Sequence, residues 1–522
     1  MTVSWSWVVE ACLGQAITDE AGESITDEAG NEISDHGWLD ISADVMRDET
    51  IEWSQGIQGT SMTDLVASSG TLSLVLDNDV TNSWGAQGAY TPNHANVCSD
   101  LWLRDIAVRI GIVYLGRYDY YVYYLSKIEP SAGQFLAPTV ELSGEDWISR
   151  AALANVPPLA VQVGQRPDQL IASILAATGA PPINATINTE PQTVFTYALH
   201  TESDGTKLLT VLQKIAQSAG GAIFVDSDET DGETLRYEHR LMRPARAVIA
   251  ALDNSMSDLE ASWSVEETVD LVRVQYNPGR VDTVDQVLGS MPSPQRIPAG
   301  GGVLVELRLR DPDGLANNVS ALSLVTLVSG TDYLASSIEG DGGQDLNASL
   351  SIARRETTAS SVSYYLVNTA AVPMYVSLFQ QHGKGIYLYD PIFYALGAES
   401  PIMPSEYNGQ YMSNYFDAKN FAEMLYSRLH DETRPEVGRV GFYADYDSTF
   451  FRYFSTGHIG HPYTLTEAVT GLATRKFYIN GRTMRIERNT LYVEWIGEPA
   501  DRYTYIQCDA SHPLDDGNYV LA

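Results

Sequence analysis

Between Ser69 and Asp146 the chain alternates apolar and small or polar side chains too regularly for helix, and this fixes the first part of the molecule as sheet. In Ser69-Gly-Thr-Leu-Ser-Leu-Val-Leu-Asp-Asn78, Leu72, Leu74 and Leu76 fall on one face of a strand, and the Asp-Asn pair closes the run. A bare loop, Gly88 to His94, leads to Ile106–Gly116, then to a Tyr-rich strand from Tyr118 to Ile128, and then to Thr139–Asp146. Together with Ile41–Val45 and Ile51–Trp53, these runs make residues 37–150 almost wholly β, a twisted sheet or small barrel. Alternation within the Tyr118–Tyr124 cluster predicts that half of its rings pack inward and half meet a neighbouring subunit.

The rest of the chain changes period several times, as expected for 522 residues, since single cores stop growing near ~250 to 300 residues. Residues 151–279 read as a small α+β domain. One helix is headed by Asp168, with Leu170, Ile171, Ile174 and Leu175 at helical spacing. A second carries Leu208, Leu212, Ile215 and Ala219 and stops at Gly220-Gly221, before strands at Ala222–Asp226 and Thr234–His239. Residues 280–376 read as an inserted β-sandwich with Pro- and Gly-rich flanks. Residues 377–522 hold one amphipathic helix starting near Ser413, β runs at Val440–Tyr446, Lys476–Ile479, Thr483–Glu487 and Thr490–Trp495, and a terminal arm from Asp509. At the other end, residues 1–36 contain the repeat Ile17-Thr-Asp-Glu-Ala-Gly, Ile25-Thr-Asp-Glu-Ala-Gly, which reads as an acidic β arm or hairpin. The fold class is therefore α+β, mainly β, and multidomain.

Charge narrows the function. The net charge is -35, and residues 1–100 hold 17 acids against Arg47 alone. Binding nucleic acid requires Lys and Arg to displace phosphate counterions, so this balance opposes it. A carboxylate-lined channel that duplex DNA slides through without sticking is consistent with it. No apolar run approaches the ~18 residues of a spanning helix, no secretory signal is visible, and Cys12, Cys98 and Cys508 are too few for a disulfide framework.

Chemistry-bearing motifs are weak. The His458-Ile-Gly-His461 pair offers two imidazoles without an evident third ligand and reads as a solvated loop. The segment Asp226–Gly232 resembles a calcium loop, but its spacing is one residue too long, and a hairpin tip explains it better. Glu52 beside Trp53 and Glu494 beside Trp495 are the acids nearest to a glycosidase pattern, and alternation points both outward. No catalytic, cofactor-binding or metal residue is assigned, and the chain reads as a non-enzyme that needs no cofactor.

The order of these pieces resembles the minor tail or baseplate hub (tail tip hub) proteins of tailed phages over roughly residues 37–495. The residues that carry it are Ser69–Asn78, Gly88–Asn93, Val108–Ile110 with Tyr114–Gly116, Leu142-Ser-Gly-Glu-Asp146, Leu208–Ala216, Gly220–Asp226, Leu235–Arg240, and Val272–Tyr276 followed by Asn277. The resemblance implies a homotrimeric ring at the distal end of the virion tail, made in the host cytoplasm, with two tube-like β-barrel domains per subunit. It implies as partners a distal tail or tube protein ring, a tape measure protein and a central fibre or spike, with DNA passing through the lumen unbound. Two other classes stay open: a sandwich that binds host-surface glycans, for which its tyrosines are Tyr333, Tyr364, Tyr365 and Tyr375, and a tail-associated cell-wall or polysaccharide hydrolase.

Overall fold

The computed structural model describes residues 3–13, 15–16, 34–35, 37–58, 64–131, 137–157, 159–191, 193–199, 205–227, 232–253, 255–262, 269–316, 318–340, 343–429 and 436–500. The repeats at 17–33 and the arm from Asp509 lie outside them. Strands Gln15–Ala16 and Ser34–Asp35, which flank the repeats, pair antiparallel.

The protein is mainly β and built around one long sheet. Strands Ile51–Gly56, Thr71–Asp77, Thr139–Glu145, Arg117–Ser131, Ala107–Tyr114, Trp5–Cys12 and Trp38–Asp40 lie side by side in that order. On the other flank of Ile51–Gly56 the order continues through Leu472–Glu487, Thr490–Pro499, Glu436–Tyr443 and Asp258–Ser262. The first and last β segments of the sequence thus join through the antiparallel pairing of Ile51–Gly56 with Leu472–Glu487. They also share one hydrophobic core, in which Trp53, Leu74, Ile110 and Tyr121 belong to the same cluster as Phe442, Phe451, Tyr463 and Trp495. The helix Ser448–Thr456 closes this core, and its Phe451 stacks on Tyr114 with ring centroids 4.1 Å apart.

Several local departures from the sequence expectation have a common cause, which is polar side chains that work inside the fold. Ile41–Val45, expected as strand, contains the short 3-10 turn Ser42–Asp44. Asp44 is buried there because it accepts hydrogen bonds from Ser83 N (2.6 Å) and from the Tyr90 hydroxyl. Tyr90 in turn donates its backbone N–H to Asn78 Oδ1 (2.9 Å), and the Trp102 indole donates to the Tyr90 carbonyl (2.8 Å). The apparently bare loop after Asn78 is thereby held as a packed cover on the sheet. The runs Lys476–Ile479 and Thr483–Glu487 are one strand, Leu472–Glu487, with a bulge between Ile479 and Gly481.

Behind the Arg117–Ser131 strand sits a second core. Helices Trp147–Leu153, Pro167–Ala177 and Leu208–Ala219 pack with a three-stranded sheet ordered Asn184–Ile187, Thr234–Glu238, Ala222–Asp226. The expected helical faces are the buried ones: Leu170, Ile171 and Ile174 in one, Leu208, Leu212, Ile215 and Ala219 in the other. Gly220 ends the latter helix at φ +68°, the left-handed conformation that glycine takes without strain. The Tyr-rich strand lies between the two cores. Tyr121 and Tyr123 enter the first, Val122 and Tyr124 the second. The outer partner expected from a neighbouring subunit is, for Tyr124, supplied by the same chain.

Strand Leu271–Tyr276 lies between Ile392–Gly397 and Pro404–Asn408, and the helix Tyr415–Leu429 packs on this small sheet through Ala418, Phe421 and Leu425. Between Tyr276 and Ile392 the chain makes one excursion into two facing sheets with their own core. The centre of one sheet is the strand Met374–Leu388, flanked along one edge by Gly279–Val281, Gln286–Ser290 and Gln295–Ile297, and along the other by Asn318–Leu324 and Tyr333–Ser336. The other sheet is Gly302–Arg308, Ser361–Asn368, Leu350–Thr357. The boundary expected at 376 falls inside this central strand. Its middle, Gln380-Gln381-His382-Gly383-Lys384, does not alternate like a strand because Gln381 is buried, bonded by the Tyr364 hydroxyl and donating to Val325 O at 2.8 Å.

The excursion leaves and returns at adjacent points, with Tyr276 opposite Ile392 and Gly279 opposite Leu388. Replacing residues 279–388 by a short turn is therefore expected to leave the remaining cores folded. Circular dichroism and thermal denaturation of the shortened protein check this, and loss of the cooperative transition contradicts it.

Candidate functional site: an acidic sheet face over a buried charge junction

One side of the joined sheet packs on the first core; on the other, beyond the part of the Arg117–Ser131 strand where Val122 and Tyr124 enter the second core, the strands turn polar side chains to solvent. Inward-facing Trp53, Gln55, Arg482, Met484 and Trp495 alternate with outward-facing Glu52, Ser54, Thr483, Arg485 and Glu494. Because the two β segments are hydrogen bonded, their outer rows run on without a break. One row passes from Tyr492 through Arg485, Glu52, Ser73 and Ser143 to Lys127. A parallel row runs from Glu494 through Thr483 to Ser54, whose hydroxyl meets that of Thr71 at 2.9 Å, and on to Glu145. Asp258, Glu260, Glu52, Glu141, Glu145, Glu129, Glu487 and Glu494 bring carboxylates to this side, against the bases Arg439, Arg485 and Lys127. The result is a wide, polar, predominantly acidic face. Glu52 and Glu494 are outward-facing members of it, as their alternation predicts, and Glu494 pairs with Arg439 at 3.1 Å.

Beneath this face the fold buries an ionic cluster where the shared sheet meets the α+β unit. Arg482 is 1% exposed, and its Nη2 reaches Asp226 Oδ1 at 3.0 Å, Ser227 Oγ at 2.5 Å and Gln55 Oε1 at 3.2 Å. Asp226 also lies 3.0 Å from Arg236 Nε and 3.3 Å from His458 Nδ1. Burial pushes the Asp226 carboxyl up, but His458, Arg482 and Arg236 together outweigh it and hold the group well below the usual carboxylate range. Burial likewise disfavours a charged His458, and Asp226 overrides that, so the imidazole titrates above its ordinary value. A second cluster continues the seam: Arg243 bonds Asn480 Oδ1 (2.5 Å) and Glu498 (2.8 Å), and Glu238 takes Arg246 and Arg243. These pairs tie the unit between Ala222 and Arg246 to the strands from Gly457 to Pro499.

The two weak metal candidates in the sequence meet each other here. His458 is not in a solvated loop; it is an ion-pair partner of Asp226, the first residue of the calcium-like segment. His461 turns to the Thr456 carbonyl, 2.9 Å from its Nδ1. Among the described residues no group of three or more His, Cys, Asp or Glu is arranged to hold a metal ion, and residues 228–231 lie outside them. In the excursion, Tyr364 is buried with its edge on Phe379 (5.2 Å), which removes it from any sugar-binding surface. Among the described residues no helix is long and apolar enough to cross a membrane.

Two of the motifs that carried the family resemblance prove to be mutual packing. Thr71 pairs with Glu145, which brings Gly70 against Asp146. A Cβ on Gly70 would lie 2.7 Å from Asp146 Oδ2 and 2.4 Å from the Ser54 carbonyl, so only glycine fits. Asp146 caps the helix Trp147–Leu153 by accepting from Ile148 N at 3.0 Å, and its Oδ1 also takes Ser69 Oγ at 3.2 Å. It is fully buried, its Oδ2 is without a hydrogen-bond partner, and burial pushes its carboxyl up to about 7.

Two pH dependences follow from these opposite environments. A His whose folded pKa is raised contributes stability that is fully present below about pH 6.5 and is lost as pH rises through the folded value. His458→Gln should therefore destabilise most at about pH 6 and progressively less towards pH 9, as read by urea denaturation. Asp146 has the opposite effect on its own group. With a raised pKa it remains protonated in the fold while the unfolded chain ionises, so stability falls between about pH 4 and 7. Asp146→Asn keeps a capping acceptor and does not titrate, so its stability relative to the native chain should rise by about 1.4 kcal/mol per pH unit across that window and level off above it. A flat difference contradicts the assignment.

No protein-family model matches this sequence, and no curated protein does. Solved structures resemble it along almost its full length. The 43 kDa tail protein of prophage MuSo2 from Shewanella oneidensis is 10% identical, with 96% of this chain and 99% of that one covered and a TM-score of 0.48. The tail protein from Neisseria meningitidis MC58 is 9% identical, covering 95% and 98%, at a TM-score of 0.46. Prophage tail protein gp18 from Listeria monocytogenes EGD-e is 8% identical, covering 94% of each chain, at a TM-score of 0.38. They are tail proteins, the class that the order of sequence motifs resembles.

Proposed function

We propose that this protein is a structural hub of a phage tail tip or baseplate, three copies of which form a ring that joins the tail tube to a central fibre and lets DNA pass. The observation that supports it most is the unbroken sheet joining the first and last β segments, with one acidic outer face. A ring that mates with a sixfold tube needs two comparable surfaces from each of three subunits. Two β segments fused edge to edge supply a rigid double-width wall, and a linker between separate barrels would not. The acids on this wall face the lumen, where like charge repels the phosphate backbone and keeps the duplex from adhering. The ends of the sheet, Trp38–Asp40 and Asp258–Ser262, carry unpaired backbone groups and meet the neighbouring copies. In this reading the partners are a distal tail or tube protein ring, a tape measure protein and a central fibre or spike. The role is architectural, and the site is the distal end of the virion tail.

Negative-stain images and native mass spectrometry of the purified full chain test the assembly. Rings of three copies are expected, and a monodisperse monomer at micromolar concentration overturns the proposal. The charge of the wall is tested separately in virions carrying Glu52→Lys, Glu141→Lys and Glu494→Lys together. Particles should assemble, with DNA delivery reduced about tenfold or more, because each new cation contributes phosphate attraction.

A further inference from the structure

We propose that the cleft between the Thr193–Thr196 segment and the first turns of the Tyr415–Leu429 helix is a binding site for a carboxylate, received by Arg240. The cleft has a volume of about 550 Å³, and none of its lining residues belongs to the joined sheet. Phe195, Phe421 and Met412 form apolar wall, and Arg240, Asn414 and Asn420 bring polar groups to it.

Arg240 ends the Leu235–Arg240 motif, and it differs from the other charged members. Arg236 is paired with Asp226, and Glu238 with Arg246 and Arg243. Arg240 makes no ion pair with any described residue. Its Nε is buried without a hydrogen-bond partner, and its Nη1 has only the Met424 sulfur, at 3.9 Å. Glu190 and Asp417 act on this largely buried guanidinium through space without bonding to it, so hydrogen-bond donors stay unmet, and a ligand oxygen that accepts from them relieves that cost. Burial also pushes the Arg240 pKa down, while remaining far too high to remove its charge.

The chemistry of the cleft selects the ligand class. A planar guanidinium matches a carboxylate through two parallel hydrogen bonds. Asp417 also lines the cleft, held by Asn414 Nδ2 at 2.6 Å, so a doubly charged phosphate would meet repulsion that a single carboxylate largely avoids. The apolar wall suits a carboxylate on an aliphatic stem. Such a group comes either from a small organic acid or from an Asp or Glu of a protein segment, and the chain itself carries acids of this kind in its repeats.

Titration calorimetry on the full chain at fixed ionic strength tests this with two probes: butyrate, and an acetylated peptide with the sequence of residues 17–24. Saturable binding of at least one is expected. Tighter binding of the peptide identifies a chain-borne acid as the source, and tighter binding of butyrate identifies a small acid. Arg240→Gln should weaken binding about tenfold or more, and Arg240→Lys should recover only part of it, since the fork is lost. Asn420→Asp, an exposed helix-surface change, keeps the fold intact and should also weaken binding by adding a like charge. No saturable binding of either probe at millimolar concentration, or affinity unchanged in Arg240→Gln and Asn420→Asp, overturns the proposal.

Discussion

Six residue pairs, from Gly56 opposite Gly481 to Ile51 opposite Ile486, convert two stretches from opposite ends of the chain into one sheet. Everything else depends on that pairing. It places Trp53 and Trp495 in a common core, aligns the outer rows of polar residues, and brings Gln55 beside Arg482. The pairing is tight at one end because both partners are glycine. A Cβ on Gly56 would lie 2.6 Å from the Asn480 carbonyl, and one on Gly481 equally close to the Ile57 carbonyl. Hydrogen bonds along the ladder give the joint its direction, and the shared apolar core gives it most of its free energy.

The buried charges at the junction have a different role from the apolar core. Ion pairs taken out of water rarely exceed their desolvation cost, so Arg482 with Asp226 and Arg243 with Glu498 contribute little net stability. They do impose geometry. Arg482 satisfies Nη1 and Nη2 together only when the sheet, the Asp226 strand and the turn at Gly457 are all in place, with Nη1 donating to the Gly457 carbonyl at 3.2 Å and Nη2 to Gln55 at 3.2 Å and Asp226 at 3.0 Å. Misdocked arrangements leave a charge buried and unpaired. Such a cluster makes the relative position of two cores unique.

The sequence was most readable where a single period governed burial. The Leu208–Ala219 helix, the Thr71–Asp77 strand and the outward-facing Glu52 and Glu494 follow directly from spacing. It was least readable where a polar residue is buried. Asn480 and Arg482 split one strand into two apparent runs, Gln381 hid the middle of the longest strand in the insertion, and Asp44 converted the alternating pentad Ile41–Val45 into a turn. Pairing across more than four hundred residues, as between Ile51 and Ile486, leaves no local trace at all. His458 and Asp226 looked like separate weak motifs because only the fold brings them to 3.3 Å. Arg240 gave no signal, since its lack of a partner is a property of its surroundings.

The excursion between Tyr276 and Ile392 is held by two neighbouring strands instead of one, with Asn277 N bonded to the Met412 carbonyl (2.8 Å) and Tyr389 N to the Pro278 carbonyl (3.1 Å). A single-stranded tether swivels freely about its bonds. A double-stranded neck does not, so torque applied to the outlying sheets reaches the Leu271–Tyr276 strand as rotation of a stiff stem.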